Sequence, residues 1–314
     1  MSDPTDCAAP AVGPHGYRDP AYAHSLAQFG TPRELPHAGG WVIERAIAGT
    51  DARDAMGPYP LFCCREWSGL PEDLRSLREA GLVSVVLVTD SALAPRDREV
   101  FRHFDVARPF KAHFLSTLEV QPDAFVSRHH RYYARKAART LELDIPATPL
   151  DYLDEWLELH ACLRSRHGIS GLRAFSRAHF AGLLGMPGVV LLRAVLRGKA
   201  VGAKIVVVHD GIAHAHLGCC SDEGYRQRAS YLLDWETLRH FRGRASHVNW
   251  GGEAGDANGG ASGLARYKQG WASEQRQSYL LGAILDAARY QALGALQEAR
   301  PSDYFPRYRS GEFG

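Results

Sequence analysis

From Asp151 onward the apolar spacing changes period several times, and the order of those changes restricts the fold more than any other feature of the chain. Asp151–Arg166 sets Leu153, Trp156, Leu157, His160 and Leu163 at helical spacing, with Gly168 placed to end the helix. Phe175–Leu184 reads as a second helix, stopped by Pro187-Gly188. Val189–Leu196, Val201–Val208 and Ile212–Leu217 then read as three antiparallel strands, the last two joined by Asp210-Gly211, a two-residue hairpin signal. Tyr225–Phe241 reads as a helix with Tyr231, Leu232, Trp235 and Leu238 inward, and His247–Trp250 as the next strand. Gln277–Ile284 returns antiparallel in the same second sheet. The pattern predicts an α/β (α+β) class, with mixed, mostly antiparallel sheets flanked by helices.

The first half is less regular. Residues 1–40 are rich in Pro, Gly, Ala and His without periodicity, which predicts a flexible N-terminal segment. Order is expected from Trp41–Ala46, followed by a helix opened by Pro71-Glu72-Asp73 and a buried strand, Val83–Val88, ended by Asp90-Ser91. Asp144-Ile145-Pro146-Ala147-Thr148-Pro149 reads as a linker, because two prolines disfavour helix. The expected units are therefore 41–145, 146–300 and a tail at 301–314. No apolar run reaches the ~18 residues of a membrane span, and the N-terminus lacks a basic region followed by an apolar core. Six cysteines in no metal-binding spacing read as buried thiols in a reducing compartment, so a cytoplasmic location is expected.

The chemistry concentrates after strand 247–250, where seven glycines and the single lysine Lys268 follow within 251–271. Ligands of open α/β sheets collect at the carboxyl ends of strands. Lys268 is thus the candidate cation for a developing negative charge, with Tyr267 and Trp250 beside it. His216, sharing a strand face with His214, is the candidate base, and Glu253 the candidate for orienting an amine. Arg128, Arg131, Arg135 and Arg139 fall on one helical stripe, in a segment that also holds His129, His130 and Tyr132 and no acid, which suits phosphate. Arg226 and Arg228 add two cations ahead of the 225–241 helix. A net charge of +2 confines any nucleic-acid contact to such local patches. No metal site is expected, since no carboxylate supports the histidine pairs, and a cysteine nucleophile would need an adjacent base.

Tyr267-Lys268-Gln269-Gly270-Trp271 resembles the Phe-Lys-x-x-Phe/Trp signature of FemAB-type members of the GNAT acyltransferase superfamily. The likeness spans roughly Trp41 to Ile284 and takes in Gly57-Pro58-Tyr59-Pro60, Pro109–His113, the His-His-Arg helix, Arg193-Ala194, Gly202-Ala203 and Gly224–Trp235. Helix, helix, three strands, helix, strand, helix, strand is also the order of a GNAT domain. The resemblance implies a tandem GNAT-like fold, with a degenerate first half and a catalytic second half. The family contains peptidoglycan aminoacyltransferases that use aminoacyl-tRNA, and N-acyltransferases of natural-product pathways. It implies amide-bond formation from an activated carboxyl donor.

One departure bears on the donor. Acetyl-CoA-dependent members cradle pyrophosphate on backbone N–H groups of a Gln/Arg-x-x-Gly-x-Gly/Ala loop, where this chain has Arg226-Gln227-Arg228-Ala229-Ser230-Tyr231. A tyrosine at the second small position crowds an anion. The expected donor is therefore aminoacyl-tRNA, with acyl-CoA the alternative and no tightly bound cofactor. The expected acceptor is an amine of a small molecule or peptide, and neither membrane nor DNA is an expected partner. A non-catalytic binding protein on the same scaffold is the third reading.

Overall fold

A computed structural model describes residues 15–95, 98–168, 175–252, 263–296 and 304–312. Along the first half run α1 (Pro20–Ser25), β1 (Thr31–Leu35), β2 (Gly40–Ala46), β3 (Arg53–Met56), α2 (Leu70–Glu79), β4 (Ser84–Val88), β5 (Val106–Thr117) and α3 (Arg128–Ala137). There follow β6 (Glu142–Asp144), α4 (Leu153–His167), α5 (Arg177–Leu184), β7 (Val189–Leu196), β8 (Lys199–His209) and β9 (Ile212–Cys220). The chain closes with α6 (Asp222–Arg226), α7 (Ala229–Phe241), β10 (His247–Asn249), α8 (Gly263–Gln269), β11 (Glu274–Ile284) and α9 (Ala287–Leu296). The element order predicted for the second half holds, and Asp210 and Gly211 both take positive φ in the hairpin, as a type I′ turn requires.

Among the described residues eleven strands join one sheet, in the order β1-β2-β3-β4-β11-β5-β10-β9-β8-β7-β6. That corrects the expected second sheet. β11 does not lie beside β10; it inserts between β4 and β5, antiparallel to both, and β5 pairs with β10. Period fixes that 277–284 is a strand, but a strand buried on both faces carries no mark of its neighbours. Helices α3, α7 and α8 cover one face of the second half around Trp250 and Trp271. The opposite face carries α4 and α5 around Trp156 and Phe180.

Several boundaries move. Residues 15–40 are built into the fold: Asp19 caps α1 ahead of Pro20, and Tyr17, Tyr22 and Leu26 are buried in the α4–α5 core. These anchors are too few and too irregularly spaced to register as a period. At the other end, Phe305 and Tyr308 pack with Leu280, Tyr290 and Leu293, and Arg309 forks onto Asp54 at 2.6 and 2.7 Å. The expected linker begins inside β6, where Asp144 meets Arg193, itself bidentate to Glu155 at 2.6 and 2.8 Å. The helix expected over 225–241 breaks at Arg228, whose φ of 63° starts α7 afresh.

Gly224 holds α6 against β8, since a Cβ there would sit far inside contact distance of the Val201 carbonyl oxygen. Backbone cannot yield as a side chain does, so Gly224→Ala is expected to cost about 1–3 kcal/mol. A urea midpoint matching that of the parent would show that α6 stands off the sheet.

Candidate functional site

β10 pairs in parallel with β9 only through Asn249 opposite His214, although β9 continues to Cys220. Past that point the chain leaves β9 and follows β5, with Trp250 N donating to the Phe114 carbonyl and Phe114 N to that of Gly251. β9 and β10 therefore part at the carboxyl end of β10, the place where open α/β sheets bind ligands. Lys268 reaches this point from α8, its Nζ donating to the Gly252 carbonyl at 2.6 Å. Gly251, at φ 74°, brings its backbone to the same ammonium: a Cβ added there would lie 3.4 Å from Nζ.

The helix carrying Lys268 is tied down on three sides. His130 Nε2–H donates to the Tyr267 carbonyl at 3.0 Å, while Nδ1 accepts from the Ser127 hydroxyl at 2.6 Å. Those two partners assign the neutral tautomer, and burial lowers the His130 pKa. Gly270 is required beside it, because any Cβ would enter the imidazole. The Tyr267 hydroxyl donates to Asp234 Oδ2 at 2.6 Å, and Ser116 Oγ donates to the Trp271 carbonyl at 2.7 Å.

On the other face of the sheet the same strand ends bring together His113, Asn249, His214 and Asp90, each at most 6% exposed. His214 Nε2 lies 3.2 Å from Asp90 Oδ2, yet neither atom nor His113 Nδ1 completes a hydrogen bond. Asn249 contacts His113 and accepts from Gly251 N at 2.8 Å, linking this cluster to the Lys268 loop. Burial holds His113 down to about 4 and His214 to about 3, and raises Asp90 above the usual carboxylate range. Burial thus makes the Asp90 carboxylate more basic than usual, while the two imidazoles stay neutral at neutral pH. In the sequence Asp90 marks only a strand end, and His113, Asn249 and Asp234 carry no site role of their own. Their one signal is a polar residue where the pattern calls for an apolar one.

The residues expected at the site scatter. His216 occupies a β-bulge, since Ile205 faces Leu217 while Val206 faces Ala215. Its ring meets Tyr17, Tyr22 and His179, its Nδ1 lies 3.1 Å from the Tyr17 hydroxyl, and burial holds it to about 3. Glu253 lies outside the described residues. Trp250 is 4% exposed, with its indole N–H on Ser116 Oγ at 2.8 Å, and Tyr267 spends its hydroxyl on Asp234. Both face the core rather than a ligand, because each polar end needs a buried partner. Burial raises the Cys63 and Cys219 thiols and pushes Cys64 and Cys220 up to about 12, so these four are protonated packing groups.

Arg128, Arg131 and Arg135 do share α3, but the stripe is not free of acid. Asp123 reaches Arg131 at 3.2 Å and Arg135 at 3.3 Å, brought close by the turn before the helix. Arg128 and Tyr132 are exposed, and Arg228 lies 5.1 Å over the Tyr133 ring. Arg226 pairs with Glu223 within its own turn. At the start of α7 the Tyr231 N–H is bonded to the Arg228 carbonyl at 3.0 Å. Among the described residues no group of three His, Cys, Asp or Glu is placed to hold a metal ion, and no helix is long and apolar enough to cross a membrane.

The fold is a mixed α/β one, with a cation at the end of β10. Residues 124–269 match the acetyltransferase (GNAT) domain family. The fold is similar to that of FemX (11% identity, 87% of this chain and 93% of that one, TM-score 0.64). It is also similar to the C-terminal domain of a protein from Agrobacterium fabrum provisionally assigned as a lysylphosphatidylglycerol synthetase (15%, 89% and 91%, 0.61). A third similar structure is L-PGS from Bacillus licheniformis (14%, 86% and 93%, 0.54). No curated protein matches the chain in sequence. Residues 124–269 are thus similar to a GNAT domain, and the chain shares the fold of FemX, in keeping with the FemAB-like resemblance of its sequence.

The buried imidazoles make stability depend on pH. His113 and His179 titrate at about 4, and His214 and His216 at about 3. An unfolded chain protonates its histidines near ~6.5. Their contribution to stability is therefore full above that value and is lost as pH falls towards about 4, where the unfolded state binds the extra protons. Urea midpoints measured downward from about pH 7 should fall in this window. His216→Phe should shallow the decline; an unchanged slope would place that ring in solvent.

Proposed function

We propose that this chain transfers an aminoacyl group from aminoacyl-tRNA to a primary amine of a small molecule or peptide. The observation that carries the reading is the Lys268 ammonium held at the Gly252 carbonyl, where β9 and β10 part. The amine nitrogen attacks the ester carbonyl carbon, a C–N bond forms, and the C–O bond to the ribose breaks. Lys268 offsets the negative charge on the carbonyl oxygen and then on the departing ribose oxygen. The proton lost by the amine passes to the Asp90 carboxylate, made more basic by burial and standing beside His113 near that loop. Glu253 orients the amine from the glycine-rich loop.

The basic surface of Arg128 and Arg228 around Tyr133 supports a polyanionic donor gripped by side chains. The lysylphosphatidylglycerol synthetase assignment of one structural neighbour agrees with an aminoacyl group on this fold. An acyl-CoA-dependent N-acyltransferase is the second reading, favoured by the acetyltransferase description of the matching domain family. The discriminating assay offers total charged tRNA or acetyl-CoA with a panel of amines and detects amide product. Amide formed only from acetyl-CoA would overturn the tRNA reading.

With a working donor–amine pair, Lys268→Ala should lower turnover by ~10²–10³ with a nearly unchanged melting temperature. Lys268→Arg should rescue poorly, since a planar fork does not replace a compact charge in a confined place. Turnover of Lys268→Ala within a few-fold of the parent would move the oxyanion to backbone N–H groups. Arg128→Ala with Arg228→Ala should weaken tRNA binding and flatten its dependence on salt, because fewer counterions are released. An unaltered slope would make this face a solvated one.

A further inference from the structure

Asp234, on α7, is 2% exposed and carries two partners: Lys204 of β8, which forms an ion pair with one carboxylate oxygen, and the Tyr267 hydroxyl, which donates to the other at 2.6 Å. The Lys204 ammonium also lies 5.2 Å over the Trp250 ring, at the end of β10. Trp250 in turn donates to Ser116, and Ser116 donates to the Trp271 carbonyl just beyond α8. One polar network thus joins β8, α7, the end of β10 and the helix that carries Lys268. Burying a lone ion pair is costly, and a third hydrogen bond to the carboxylate lowers that cost. The signature that Tyr267-Lys268 resembles has phenylalanine where this chain has Tyr267. The hydroxyl is therefore an addition, and it donates to Asp234.

We infer that Asp234 is a positioning residue, which through Tyr267 fixes the turn of α8 that aims the Lys268 ammonium at the end of β10. The inference deepens the acyl-transfer reading and rests on Lys268 acting there. Tyr267 and Lys268 are adjacent, so a phenol free to move lets the next side chain leave the Gly252 carbonyl. Packing alone does not require the hydroxyl, because phenylalanine has the same ring.

The test compares Tyr267→Phe with the paired replacement Asp234→Leu plus Lys204→Met, which removes both charges together and so keeps the core folded. Two quantities are read in each variant and the parent. One is turnover with the donor–amine pair, split into kcat and KM. The other is the rate at which a trace of acetic anhydride labels Lys268 relative to the other lysines, followed by mass spectrometry. Both variants are expected to keep KM, to lose about tenfold in kcat, the worth of one buried charge-assisted hydrogen bond, and to label Lys268 several-fold faster. Unchanged labelling in both variants overturns the inference, whatever happens to melting temperature or turnover. Faster labelling in a chain whose parent forms no amide supports the positioning role and removes the acyl-transfer reading instead.

Discussion

The pairing of β5 organises the molecule. It bonds to β11 along one edge and to β10 along the other, so a strand from the first half stands between two from the second. Neither half closes its sheet alone. The exchange continues at the chain ends: Tyr17 and Tyr22 pack into the core of the second half, while Phe305 and Tyr308 pack against β11 and α9. After Asn249 the chain keeps its bonds to β5 while its pairing with β9 ends, and the opening lies between β9 and β10.

The opening has a different electrical character on each side. Lys268 stands at its edge with a carbonyl partner, above a cluster that burial keeps uncharged at His113 and His214 and that raises the Asp90 carboxyl. Unmade hydrogen bonds at Asp90 Oδ2, His214 Nε2 and His113 Nδ1 are expensive in a packed interior. Arginines lie outside this region on α3 and before α7, where water screens them and Asp123 partly neutralises two of them.

Much of the scaffold was legible in the residues because it follows from local period and punctuation. Asp210-Gly211 can form a two-residue turn, Gly168 can end α4 in the left-handed region, and the apolar runs of β7 to β9 fit strands. Lys268 stood out as the single lysine in a glycine-rich stretch. Asp90, His113, Asn249 and Asp234 did not, because a polar residue inside an element looks the same whether it faces solvent, a buried partner or a substrate. The arginine stripe misled in a related way: Asp123 lies outside the helix and meets it only through the turn at 122–124.

The sequence by itself determined the element types and order of the second half, the hairpin, and the presence of a cation after the last short strand. Those depend on residues within a few positions of one another. The tertiary structure alone decided that β11 crosses into the first half, that His216 faces a tyrosine-lined core from a bulge, and that Tyr267 and Trp250 serve the interior. Each of these outcomes rests on pairing between segments far apart in the chain. A hydrogen bond or ion pair between distant residues forms only when the whole sheet sets its register, and no local period encodes that register.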